Sequence, residues 1–315
     1  MLGFFRKQRP ASAGVGRVSV VIPLYNHAAY IEAAVESALA QGAVLREVIV
    51  IDDGSSDAST DVMRRIAAHE PRIRFRSRPN RGAHATINEG LEEATGEFVA
   101  ILNSDDIYLP GRLDSLVHRL DAEPGAALAA SGIAFMDGNG ASIENAWYGE
   151  AMAFRAGRGT GTALVNANFL MTTSNYLFRA DLPKQIGGFA ALRYTHDLDF
   201  ALRALALGHG IALVEQPLLR YRQHGTNTIS EDHRKVRVEW ATSAAAYLTL
   251  LWDRPGAPEP DWNEVGGITE VLRRHELTRM VLACMAYLRR HGGGRLDSSP
   301  MLADEAFRAH MLDWA

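Results

Sequence analysis

"VAILNSDDIYLPGRL", residues 99–113, begins as an apolar run, passes through an Asn-Ser-Asp-Asp cluster at 103–106, and meets a Pro-Gly break before a helical pattern. An uninterrupted apolar strand is the mark of a sheet covered on both faces, so its polar end must emerge at the sheet edge. Working outward, "RVSVVIPLYN" (17–26) and "EVIVIDDGSSD" (47–57) repeat the form: β-branched residues, then polar ones. Between them Ile31, Ala34, Val35, Ala38 and Leu39 follow helical spacing up to Gly42, a C-terminal cap. A helix is predicted over Asp57 to His69, a short strand at "RIRFRS" (72–77) and a helix at "AHATINEGLEEATG" (83–96). Strand and helix alternating in short units predict parallel pairing through crossovers, and therefore an α/β fold.

Beyond residue 111 the pattern predicts a helix, a strand at "ALAASGIAFMD" (127–137) and, in the Gly-rich "YGEAMAFRAGRGTGT" (148–162), a loop. "SNYLFRA" (174–180) reads as a strand, "DLDFALRALALG" (197–208) as a helix, and "IALVEQPLLRYRQHG" (211–225) as a strand entering a polar loop. After residue 230 two or three helices are expected, separated by the Pro-rich "DRPGAPEPDW" (253–262). The expected organisation is a flexible tail at 1–16, an α/β domain at 17–228 divided near residue 110, and a helical extension at 229–315.

Composition narrows the class. Of 315 residues 47% are apolar and 22% charged, which is globular, and a net charge of −4 argues against a nucleic-acid footprint. The one cysteine, Cys284, has no internal partner and lies in the apolar "RMVLACMAYLRR", so a buried thiol is expected. No stretch reaches the ~18 to 20 apolar residues of a membrane span. In "MLGFFRKQRP" the charges follow the apolar residues, the reverse of a signal peptide. A cytoplasmic protein is expected, with contact at the inner face of the membrane as the alternative.

Three strands in the first 106 residues end in polar clusters: Tyr25 and Asn26, Asp52 and Asp53, and Asn103 to Asp106. In a parallel sheet these ends share one edge, where open α/β sheets bind ligands. A single Asp there is ordinarily a turn former or helix cap; three clusters point to a site. The first turn lacks G-x-G-x-x-G, and neither G-x-x-x-x-G-K-[ST] nor H-E-x-x-H occurs, which excludes a dinucleotide held in the Rossmann manner. Without a glycine cradle, a phosphorylated ligand needs a divalent cation, and Asp105 is of the type that holds one.

Four ordered motifs carry a resemblance: "VSVVIPLYNHAAYIEAAVESALAQ", "EVIVIDDGSSDAST", "NRGAHATINEGLEEATGEFVAILNSDDIYLPGRL", and "IGGF" followed by "THDLDFALR". Over roughly residues 17–228 the chain resembles glycosyltransferase family 2, the inverting enzymes of the GT-A fold. The resemblance implies a Rossmann-like, mostly parallel central sheet flanked by helices, with a nucleotide-binding half at 17–110 and an acceptor half at 111–228. It matches Pro23, Tyr25 and Asn26 to the start of the nucleotide pocket, Asp53 to the acid that recognises the base, with Asp52 beside it, and Arg81 to a contact with base or phosphate. Asp105 matches the metal-binding acid of the Asp-x-Asp motif, with Ser104 between it and Asn103. Asn103 replaces the motif's first acid, which puts metal affinity in question and leaves a ribose-side contact.

By the same resemblance Asp197 is the catalytic base, with His196 in place of the usual Glu; its place near a helix N-terminus favours the ionised form. Arg222 and His224 match an Arg-x-His segment reaching diphosphate or metal. Thr172, Thr173 and Ser174 fall where acceptors bind in relatives. The implied reaction takes a sugar from a nucleoside-diphosphate donor, a UDP-sugar by preference, to an acceptor hydroxyl on a saccharide, lipid-linked or protein acceptor, with Mn²⁺ or Mg²⁺. A non-catalytic sugar-nucleotide-binding protein and a nucleotidyltransferase are the rival readings. For the C-terminal helices, packing on the core is the simplest role and a homodimer contact another.

Overall fold

The computed structural model describes residues 16–225, 228–252, 256, 259, 261–291 and 298–315. Residues 1–15 of the expected tail at 1–16 and most of the Pro-rich segment at 253–262 lie outside the described residues. The first half runs β1 (Val18–Leu24), α1 (Ile31–Leu39), β2 (Leu45–Asp52), α2 (Ser59–Ala67), β3 (Ile73–Ser77), α3 (Ala83–Glu93), β4 (Phe98–Ile101), β5 (Ile107–Tyr108) and α4 (Arg112–Ala122). There follow β6 (Ala126–Met136), β7 (Ser142–Ile143), α5 (Ala146–Arg155), α6 (Thr160–Asn166), β8 (Leu177–Arg179), α7 (Leu182–Ile186), α8 (His196–Ala206) and β9 (Gly210–Arg222). The chain ends with α9 (His233–Trp252), α10 (Trp262–Arg274), α11 (Thr278–His291), α12 (Ser299–Ala303) and α13 (Glu305–Trp314).

One sheet has the order β3-β2-β1-β4-β8-β6-β9-β5, with β7 beside β6. Pairing is parallel from β3 to β4 and between β6 and β9, and antiparallel at β4–β8, β8–β6, β9–β5 and β6–β7. Two antiparallel steps in succession restore direction, so β6 and β9 run the same way as β4. Their carboxyl ends therefore share an edge with those of β1, β2 and β4.

The continuous apolar strands divide by alternation into two cores. Val20, Ile22, Val48, Val50, Phe98 and Ala100 pack on one face with Ile31, Met63 and Leu113, from α1, α2 and α4. Val21, Ile49, Ile51, Val99 and Ile101 face the other way, toward Ile87 of α3, Phe200 of α8 and Ala244 of α9. The second core continues through Met280, Cys284, Met301 and Met311, so the C-terminal helices are part of it rather than an appendage. Cys284 is buried as expected, and burial pushes its thiol up to about 12.

Two expectations fail. The Gly-rich stretch read as a loop holds α5 and α6. Asn145 caps α5 by accepting from the Tyr148 N–H at 2.8 Å, and Trp240 of α9 donates to the Val165 carbonyl at 2.9 Å, so tertiary packing overrides the glycines. Beyond residue 230 five helices are described, not two or three. Among the described residues no helix is long and apolar enough to cross a membrane.

Gly96 lets β4 lie against β1. A Cβ there would stand 2.7 Å from the Ser19 nitrogen and 2.8 Å from the carbonyl oxygens of Arg17 and Phe98, all backbone. Gly96→Ala is expected to cost about 1–3 kcal/mol, read as a lower midpoint in denaturant titration.

Candidate active site

The polar strand ends do converge, and each is tied to the next. After β1 the chain turns through Asn26 at φ 52°, a left-handed conformation that Asn tolerates. Asn26 Oδ1 accepts the Ser56 N–H at 2.8 Å and its own N–H donates to Ser55 Oγ at 2.9 Å, binding this turn to the one after β2. Pro23 lies within β1, and Tyr25 is 49% exposed at the mouth of the edge.

Asp52 is fully buried and accepts from the hydroxyls of Thr60 at 3.2 Å and Ser77 at 2.6 Å, a local structural role. Asp53 holds the next turn: its oxygens accept the N–H groups of Arg81 at 2.8 Å and Gly82 at 2.9 Å. The guanidinium that pairs with Asp53 belongs to Arg78, which the sequence reading passed over. The Arg81 side chain is 63% exposed and pairs with Glu89 at 2.7 Å.

At the end of β4 the four residues diverge. The Asn103 amide donates to Thr172 Oγ1 at 2.9 Å and accepts from Thr173 at 3.0 Å, so it braces the loop before β8. Ser104 Oγ is 2.7 Å from His27 Nδ1. Asp105 Oδ2 meets His224 Nε2 at 3.0 Å. Asp106 accepts from Ser174 Oγ at 2.6 Å and from the Arg222 N–H at 2.9 Å; burial, then the neighbouring Asp105, holds its carboxyl well above the usual range.

Arg222 was expected to reach diphosphate or metal through its guanidinium. The side chain is 5% exposed, donates to the carbonyls of Asp105 at 2.8 Å and Gly138 at 3.1 Å, and lies 4.5 Å over the Tyr30 ring. Those contacts lock the Asp105 backbone. His224 stacks on the same Tyr30 ring at 5.6 Å between ring centroids and meets His27 edge-on at 5.9 Å. Ligand atoms of His27, Asp105 and His224 all lie within 4.8 Å of one another. Two imidazoles and a carboxylate suit a divalent cation, Mn²⁺ among them.

Asp197 opens α8 and is 7% exposed. Its Oδ1 accepts the Leu198 N–H at 2.7 Å and its Oδ2 accepts Asn168 Nδ2 at 2.8 Å. The helix N-terminus does not dominate as expected: burial pushes the carboxyl up to about 7, against the lowering by Leu198 and Asn168. A carboxyl raised in this way is of the type suited to taking a proton near neutral pH. His196 is driven down to about 4, first by burial, and packs edge-on to Phe189 at 6.1 Å, so it is neutral where the resemblance has an acid. The loop that supplies Asn168 to Asp197 also supplies Thr172, Thr173 and Ser174 to the β4 end, which physically links the two centres.

The segment before α8 is held from α9. Glu239 accepts the N–H groups of Arg193 at 2.9 Å, Tyr194 at 2.6 Å and Thr195 at 3.0 Å. Burial raises the Glu239 carboxyl and these three donors oppose it. Glu239→Gln replaces one acceptor by an N–H₂ facing donors, at an expected cost of about 1–3 kcal/mol in thermal melting. Because Glu239 also raises Asp197, the Asp197 carboxyl is expected to titrate at lower pH in this variant, read by NMR or infrared titration.

His27, Arg78, Asn168 and Glu239 were missed by sequence reasoning. His27 had a signal, its place one residue after Asn26 at a strand end; the other three have none without the fold. A groove of about 400 Å³ between β6, β7 and α5, walled by Phe135 and Tyr148, contains none of the clustered strand-end residues.

The profile of the family described as Glycosyl transferase family 2 matches residues 19–194. Succinoglycan biosynthesis protein ExoO of Rhizobium meliloti (strain 1021) is 32% identical over 222 residues, covering 68% of this chain and 62% of that protein. Putative glycosyltransferase EpsH of Bacillus subtilis (strain 168) is 26% identical over 223 residues, covering 70% of this chain and 64% of that protein. The matched regions thus span less than two thirds of either relative. Among solved structures, S. aureus TarS 1-349 in complex with UDP aligns with a TM-score of 0.61 at 18% identity, covering 95% of this chain and 88% of that one. Mannosyltransferase PcManGT from Pyrobaculum calidifontis, in complex with GDP-Man and Mn²⁺, aligns at 0.58 and 19%, covering 98% and 88%. At these identities the likeness establishes the fold, the GT-A arrangement expected from the motifs.

Proposed function

Because the chain belongs to glycosyl transferase family 2, we propose that it is an inverting glycosyltransferase that moves a sugar from a nucleoside-diphosphate sugar to an acceptor hydroxyl. The observation that carries this reading is the pairing of a cation-type cluster at the ends of β1, β4 and β9 with a buried carboxyl of raised pKa, bridged by one loop. The relatives, a succinoglycan biosynthesis protein and structures holding UDP or GDP-Man, support polysaccharide synthesis and a nucleotide-sugar donor; a UDP-sugar is the donor favoured by the motifs.

In this reading the turns fixed by Asn26 and Asp53 form the floor for the nucleoside, with the exposed Tyr25 beside it. Asp105 and His224 would hold a divalent cation, Mn²⁺ or Mg²⁺, which when bound would offset charge on the departing diphosphate. Arg222 keeps the Asp105 backbone in place from behind. The Asp197 carboxylate takes the proton of the acceptor hydroxyl as that oxygen bonds to the anomeric carbon and the bond from that carbon to the nucleoside diphosphate breaks, its electron pair leaving with the diphosphate; Asn168 holds the carboxylate in line. The acceptor is a saccharide, a lipid-linked glycan or a protein side chain.

The test is a panel of UDP-, GDP- and dTDP-sugars incubated with the protein, Mn²⁺ or Mg²⁺, and candidate oligosaccharide acceptors. Cation-dependent release of nucleoside diphosphate with formation of a new glycosidic bond is expected. Donor binding in calorimetry with no release for any acceptor would identify a binding protein on the same scaffold. Release of pyrophosphate from nucleoside triphosphates would identify a nucleotidyltransferase.

A further inference from the structure

We propose that His27 is a third protein ligand of the cation, so that this chain builds a two-histidine, one-carboxylate centre from His27, Asp105 and His224 and prefers a first-row transition ion to Mg²⁺. The inference rests on the reading of Asp105 and His224 as the cation site and adds to it a residue from a different strand end. Three features of the structure carry it. Ligand atoms of the three side chains fall within 4.8 Å of one another, the span that a single ion bridges. His27 Nδ1 is 2.7 Å from Ser104 Oγ, and with that nitrogen donating, Nε2 keeps its lone pair for a metal. A ligating imidazole oriented by a polar partner on its other nitrogen is the usual outer-shell arrangement.

The third feature is the place of Asn103. Its amide donates to Thr172 and accepts from Thr173, so it is engaged in bracing the loop before β8, and it brings no carboxylate to the ion. His27 supplies a donor from the turn after β1 instead. The exchange changes the chemistry of the donor set: imidazole nitrogen suits borderline ions, whereas Mg²⁺ favours oxygen ligands and retains its waters. With one carboxylate among three donors, the bound ion also keeps a net positive charge, which favours a diphosphate as the next ligand. Tyr30 holds the geometry, since its ring lies against His27 at 5.7 Å and against His224 at 5.6 Å.

The experiment measures metal alone. Calorimetry with Mn²⁺ and with Mg²⁺, and electron spin echo spectroscopy of bound Mn²⁺, are applied to the full chain and to His27→Ala, His27→Gln and Asp105→Ala, each first checked by thermal melting. The expected result is a wild-type preference for Mn²⁺ over Mg²⁺ of at least about tenfold. The spectrum is expected to show two ¹⁴N couplings, reduced to one in both His27 variants. The loss of Mn²⁺ affinity should be about 10-fold or more, with Mg²⁺ affinity changed far less. Ser104→Ala should weaken Mn²⁺ binding in the same direction by less. Unchanged Mn²⁺ affinity and two retained couplings in the His27 variants, with binding lost in Asp105→Ala, would overturn the role of His27 and leave the cation site standing. Wild-type binding in Asp105→Ala would overturn the cation site itself.

Discussion

Asp197→Asn is expected to lower turnover by about 10²- to 10⁴-fold, the usual worth of a positioned general base, while leaving donor affinity within a few fold. The substitution keeps the shape of the side chain and removes the proton acceptor. Burial puts the carboxyl at about 7, so the wild-type rate should rise with pH through that value and level off above it. In Asp197→Asn that acid limb should disappear. Stability should move the other way. A carboxyl whose folded pKa is raised from 3.8 contributes most below the unfolded value, and the contribution is lost as pH rises through about 7. At pH 8 the native protein carries a desolvated carboxylate, so Asp197→Asn should melt no lower than the wild type, and any gain should vanish toward pH 4. Asn168 can accommodate the change, because its Oδ1 is buried without a partner and an amide flip would offer it to the new N–H. A variant with wild-type turnover and an intact acid limb would remove Asp197 from the reaction.

Asp105→Ala is expected to abolish cation-stimulated turnover, a loss of roughly 10³-fold if the ion supplies several kcal/mol of charge stabilisation. It should differ from Asp197→Asn in kind, because donor binding in the presence of Mn²⁺ falls as well. The side chain is about a tenth exposed and bonds only His224 in the described structure, whereas the backbone carbonyl, which Arg222 holds, remains in the variant. The fold should therefore survive, and circular dichroism should be unchanged. Equal donor affinity in wild type and Asp105→Ala, with and without Mn²⁺, would rule out the metal-linked role.

Much of this was legible along the chain. The alternation of apolar strands with helices located β1 to β4 closely, because a strand buried on both faces needs uninterrupted β-branched residues and leaves a plain trace. The turn chemistry after each strand marked Asn26, Asp53 and Asp105 for the same reason. What failed were segments whose state depends on distant partners. Residues 148–162 look like a loop because glycine is a poor helix former, yet α6 is buried against Tyr247 and Trp240 of α9. Arg222 and Arg81 were read as ligand contacts from their motif positions; the partners they have in the fold, the Asp105 carbonyl for one and Glu89 for the other, leave no trace along the chain.

The sequence by itself determined the α/β class, the strand ends that bear polar residues and the family, since each depends on local periodicity and short motifs. Only the tertiary structure decided how those ends act together. Two antiparallel steps around β8 turn β9 so that His224 arrives at Asp105, across 119 residues of chain. The approach of His27 through Ser104, the support of the Asp197 loop by Glu239, and the rise of Asp197 to about 7 are likewise consequences of packing. A carboxylate's pKa and a metal's third ligand are properties of what lies within a few ångströms in space, and that neighbourhood is written into no single stretch of sequence.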